Sequence, residues 1–95
     1  MQKDMAEIVA LKALAFLAED RHRIERFLSW TGLGPGDLRA GAASAAVQGG
    51  VLDYLLAHEA LLVAFAGSVG VGPDAPAAAR RALAGRVDPT SDESL

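Results

Sequence analysis

Apolar residues recur along this chain at three- and four-residue steps, the spacing of amphipathic helices rather than strands. Between Asp4 and Ala18, Met5, Ile8, Val9, Ala15 and Phe16 define one face, and Leu11, Leu14 and Leu17 widen it. Asp20 is placed to cap a second helix, in which Ile24, Phe27 and Leu28 repeat the pattern. Gly32 suits the left-handed position that ends a helix, and Leu33 can close over the end. Gly34-Pro35-Gly36 restarts the chain into a short helix over residues 37–42, which only packing can stabilise. Ser44 then caps a helix running to Ala57, with Val47, Val51, Leu52, Tyr54, Leu55 and Leu56 as its apolar positions. Gly49-Gly50 inside it costs about 1 kcal/mol per glycine against alanine, which favours a close approach there over a helix starting later. Residues 59–69 are apolar nearly all round and are expected to form the central helix. Gly70 ends it, and Pro73 or Pro76 opens a last helix reaching through Leu83 to Gly85.

The pattern also repeats. Shifting the sequence by 38 residues aligns Leu14 with Leu52, Leu17 with Leu55, Phe27 with Phe65, Gly32 with Gly70, Gly34 with Gly72 and Pro35 with Pro73. Phe16 with Tyr54, Ile24 with Leu62 and Leu33 with Val71 are conservative matches. Internal self-similarity of this kind reads as a duplicated structural unit. The expected fold is therefore all-α: a single compact domain of five or six short helices, built as two pseudo-symmetric three-helix units over residues 1–86. Residues 87–95 read as an acidic, disordered C-terminal tail.

Composition sharpens the picture. Of 95 residues 52% are hydrophobic but only 5% aromatic, and 20 are alanine, so the core must be aliphatic with alanines lining helix contacts. The net charge of −3 resides in Asp88, Asp92 and Glu93, because residues 1–87 hold nine acids and nine bases. That leaves a neutral body with a basic edge at Arg21, Arg23 and Arg26, and bulk charge offers little hold on nucleic acid or an anionic membrane. The absence of cysteine excludes disulfides, thiolate catalysis and cysteine-based zinc sites. Asp4, Glu7 and Lys12 interrupt the first apolar stretch, which argues for an amphipathic helix over a secretory signal. No uncharged run reaches the roughly 18 residues a spanning helix needs. A cytoplasmic protein is expected.

Candidate chemistry is sparse. His58-Glu59 does not open a zinc site, because Leu62 stands where the second histidine would be; a helix start is the plain reading. His22 falls in a charged, solvated turn. There is no nucleophile elbow, the acid pairs Glu19-Asp20 and Asp92-Glu93 are neighbours that point in different directions on a helix, and neither glycine block has the lysine of a phosphate loop. No enzyme activity, cofactor, metal or small-molecule substrate is implied. Residues 27–39 do resemble a helix-turn-helix, but the reading helix would offer only Arg39 to base edges. Nucleic acid is disfavoured on that ground. The remaining candidate is a partner-binding edge of Arg21, Arg23, Arg26, Trp30 and Arg39, since tryptophan and arginine are enriched at interface hot spots. Trp30 as a lid over its helix end is the competing explanation.

The succession Ala13-Leu14-Ala15-Phe16-Leu17-Ala18, Arg26-Phe27-Leu28, Thr31-Gly32-Leu33, Pro35, Leu38-Arg39-Ala40, Val51-Leu52-Asp53-Tyr54-Leu55-Leu56, Glu59 and Ala64-Phe65-Ala66 resembles a family of small uncharacterised alphaproteobacterial proteins, a domain of unknown function. The resemblance spans roughly Met5 to Leu83. It departs at Ser44-Ala45-Ala46-Val47, where the family favours an acid and a proline before a large apolar residue. It implies an all-helical domain and brings no activity, cofactor or site. The functional expectation is thus a non-catalytic protein-interaction or regulatory adaptor that binds an unknown protein or itself. A DNA-binding regulator and an enzyme accessory subunit are the alternatives.

Overall fold

The computed structural model describes residues 1–41 and 44–85, which form six helices and, among the described residues, no strand. They are α1 (Lys3–Ala18), α2 (Arg21–Thr31), α3 (Pro35–Gly41), α4 (Ala45–Ala57), α5 (Glu59–Val69) and α6 (Ala75–Gly85). Several of these boundaries have a chemical cause. The Asp20 carboxylate accepts the backbone N–H groups of His22 and Arg23 at 2.8 and 3.3 Å and starts α2. Ser44 Oγ does the same for α4 by accepting Val47 N–H at 3.2 Å. Before α3, Gly34 donates its N–H to Asp37 Oδ2 at 2.7 Å while Pro35 takes the first helical position. α2 and α5 both end on a glycine in the left-handed region, Gly32 at φ 80° and Gly70 at φ 75°.

α1 and α4 form the centre. α1 packs on α2, α4, α5 and α6, and α4 packs on α1, α2, α3, α5 and α6. This corrects the expectation that residues 59–69 would be central. In α5 only Leu62, Phe65 and Ala66 are buried, while Ala60, Val63, Ala64 and Gly67 face outward. Small side chains made that helix look apolar all round without giving it much area to bury. The face drawn for α1 is corrected too. Its core side is Ala6, Val9, Ala10, Ala13, Phe16 and Leu17, whereas Met5, Ile8, Leu11 and Ala15 are exposed. Three alanines on the inward side let neighbouring helices approach closely, and the larger Met5, Ile8 and Leu11 are left on the opposite side. Alanines line contacts at Ala6, Ala10, Ala13, Ala66 and Ala79, but Ala18, Ala45, Ala57 and Ala84 are exposed.

The repeat reappears in part of the helix packing, although the α4–α6 contact has no comparable α1–α3 counterpart. Exchanging α1, α2, α3 with α4, α5, α6 turns the α1–α2 contact into α4–α5, α2–α4 into α5–α1, and α3–α4 into α6–α1, all of which occur. The rings obey the same exchange. Phe16 meets Phe65 edge-on at 5.6 Å, and their repeat-mates Tyr54 and Phe27 meet edge-on at 5.6 Å. Interplanar angles of 64° and 71° are nearly the same. Such T-shaped pairs add about 0.5–1.5 kcal/mol beyond burial. The symmetry breaks at α3, seven residues long where α6 has eleven.

Gly49 and Gly50 lie within α4, but the close backbone contact expected there is not found: both face side chains at ordinary van der Waals distance. A Cβ on Gly49 would meet the Arg80 guanidinium carbon at 3.4 Å, and one on Gly50 would meet Thr31 Cγ2 at 3.6 Å. Arg80 lies there because Asp53, one turn further along α4, holds its Nε and Nη2 at 2.7 and 3.3 Å. Residues 87–95, expected to form a tail, lie outside the described residues.

Candidate functional site

α2 carries most of the residues singled out from the sequence. His22, Arg26 and Trp30 follow one another at four-residue steps and so line one strip on its outer side. All three are exposed, with Trp30 half open at 50%. Arg23 borders the strip, and its guanidinium lies over the Phe16 ring of α1, 4.4 Å from the centroid. Arg21 stands apart: at about 100° per residue it projects roughly 160° away from Arg23. Arg39 is exposed on α3, a separate helix. The five predicted residues thus divide into a contiguous group of Arg23, Arg26 and Trp30, joined by His22, and two outliers.

The strip is anchored by its neighbours. Trp30 meets Tyr54 edge-on at 5.4 Å and His58 at 5.9 Å, and Tyr54 lies 4.4 Å from His58. Tyr54 is buried and also receives Phe27, so the indole rests on a ring that belongs to the core. His58 sits at the junction of α4 and α5, and its Nδ1 donates to the Tyr54 carbonyl at 2.7 Å. That bond satisfies a carbonyl at the end of α4 and fixes the imidazole against the phenol. Below them Thr31 Oγ1 donates to the Phe27 carbonyl at 2.9 Å and accepts Leu33 N–H at 3.2 Å, which holds the turn after α2.

Electrostatics on α2 are set at its first turn. The two backbone N–H groups from Arg23 and His22 that bond Asp20 hold its carboxyl below the usual carboxylate range. Burial opposes this, and the Arg23 and His22 charges add lesser contributions in the same direction as the backbone bonds.

Tyr54 and His58 were not in the sequence-derived edge. The signal was present as an aromatic pair four residues apart at the end of a helix, but nothing local tied it to Trp30, 24 positions earlier. Among the described residues, no group of three or more His, Asp or Glu side chains gathers to hold a metal ion. No single helix is long and apolar enough to cross a membrane, although α4 and α5 together have the length and composition, bent by 112° at their junction.

The fold defines a small all-helical domain in which the α2 strip with its tyrosine–histidine support is a sizeable polar–aromatic feature. Residues 3–86 match the family described as "Protein of unknown function (DUF3572)", and the chain belongs to that family. No curated protein and no solved structure matches it.

Proposed function

We propose that this chain is a non-catalytic interaction domain of the cytoplasm that binds a protein partner through the outer strip of α2. The observation that carries this is Trp30. It is half exposed, yet its ring is held edge-on by Tyr54 and His58. A rigid, amphipathic ring presented this way loses little entropy when a partner covers it, which is what makes tryptophan an effective anchor. Arg26 and His22 on the same strip suit a partner that brings carboxylates around an apolar side chain.

Affinity purification from the native host tests the reading, with wild type run beside Trp30→Ala and Arg26→Glu. A protein retained by wild type and lost with both variants supports it. Retention unaffected by either substitution, or no partner at all after crosslinking, would overturn it.

A DNA-reading role has less to rest on. α3, which would enter a groove, is two turns long and carries one arginine, Arg39. A gel shift at low ionic strength that is lost in Arg39→Ala would favour it over the protein partner.

A further inference from the structure

We propose that a second copy of this chain covers the outer face of α1, with the two helices running antiparallel about a twofold axis at Ile8. The face is apolar and uncovered: Met5, Ile8 and Leu11 are 51%, 44% and 43% exposed. Asp4, Lys12 and Ala15 share it, all exposed. At about 100° per residue these six positions fall within an arc of about 120°, with Ile8 on its midline. The opposite side of the same helix holds its core contacts, Ala6, Val9, Ala10, Ala13, Phe16 and Leu17. α1 therefore has two apolar sides, and the chain itself covers one.

The sequence of that face is self-complementary. Met5 and Leu11 stand three residues to either side of Ile8, and Asp4 and Lys12 stand four residues to either side. An antiparallel mate centred on Ile8 brings Leu11 of one copy level with Met5 of the other, as in the mixed layers of a two-helix seam. It also brings each Asp4 level with the other copy's Lys12, giving two opposite-charge pairs. A parallel arrangement would set Asp4 beside Asp4 and Lys12 beside Lys12. An interface that matches itself under a twofold is the form that closes into a dimer.

The internal repeat gives a second argument. Under the same 38-residue offset, Leu11 and Ala15 correspond to Gly49 and Asp53 of α4. On α4 that face is covered by a helix: Arg80 of α6 lies against Gly49 and is held by Asp53. On α1 the corresponding place would fall to α3, which ends after seven residues. The larger side chains of α1 thus occupy a face that, among the described residues, no helix of the same copy covers. A seam along a single helix of about 24 Å lies at the small end of specific interfaces, so association in the micromolar range is expected.

This surface is distinct from the α2 strip, and each proposal can fail without the other. Sedimentation equilibrium on the full chain, from low micromolar to millimolar concentration, is the test. Wild type is expected to dimerise reversibly, Ile8→Glu to remain monomeric, and Trp30→Ala to dimerise as wild type does. Lys12→Asp should weaken the dimer about tenfold, and adding Asp4→Lys to it should recover most of the loss. All these positions are exposed, and circular dichroism on each variant confirms that it is folded. A wild type that stays monomeric at millimolar concentration overturns the proposal. So does a dimer that survives Ile8→Glu, or a Lys12→Asp loss that Asp4→Lys does not recover. A monomer whose α1 face instead binds lipid vesicles, with that binding lost in Ile8→Glu, overturns it as well.

Discussion

Gly67 lies in the middle of α5 on its exposed side, and a methyl group added there meets nothing within 4 Å. Its backbone is ordinary right-handed helix, so the residue contributes only conformational freedom to the unfolded chain. Gly67→Ala should raise stability by about 1 kcal/mol, read as a higher urea midpoint with unchanged slope. Gly32→Ala should do the reverse by about 1–2 kcal/mol, because φ of 80° forces the new Cβ against the backbone even though the space around it is open. At Asp20 the relevant variable is pH. Its carboxyl titrates below the ordinary value of 3.8 when folded, so its contribution is present above that value. It is lost as pH falls through the lower, folded value. The stability gap between wild type and Asp20→Ala should therefore be full at neutral pH and narrow below about pH 4. A gap that stays constant down to pH 2 would show that the charged carboxylate is not what caps α2.

At the scale of elements, the capped boundaries were legible in the sequence because capping is local chemistry. Asp20, Gly32, Ser44 and Gly70 each act within a few residues of where they stand. Which face of α1 turned inward was not legible. Its apolar residues surround the helix, and the choice was made by alanines at 6, 10 and 13 that allow close packing with partners distant in sequence. The same holds for α5, where hydropathy counted side chains too small to bury much. Tyr54 and His58 escaped notice because they join Trp30 only after α2 and α4 have packed. The repeat, by contrast, was legible and makes a quantitative demand. Leu17 and Leu55 are mates, both with no exposure. Leu17→Ala and Leu55→Ala should each cost about 2–5 kcal/mol and differ from one another by less than the spread of that range. Denaturant unfolding of the two variants, side by side, measures it. One severe and one mild loss would mean that the likeness of the halves stops at their backbone order.

At the scale of the molecule, two unequal halves enclose one core. Phe16, Phe27, Tyr54 and Phe65 belong to that core. The bridge from Asp53 to Arg80 sits only in the second half and is partly solvated, so it contributes at most about 1 kcal/mol. It fixes α6 on α4 more than it stabilises the whole. What distinguishes the halves is the length of their third helix, and that difference leaves α1 with its uncovered face.

The ring pairs carry one more consequence. Phe16 and Phe27 lie in the first half, and the rings they touch, Phe65 and Tyr54, lie in the second. Neither half can complete one of these edge-on phenyl pairs from its own residues, so neither holds the aromatic centre of the core alone. The chain should unfold in one cooperative step despite its repeated pattern. Two peptides, one ending at Gly41 and one beginning at Ser44, should each be largely unstructured alone. Mixed together they should regain helical circular dichroism at a rate proportional to the product of their concentrations. The protein would then behave as an obligate heterodimer that a short linker has made into one molecule.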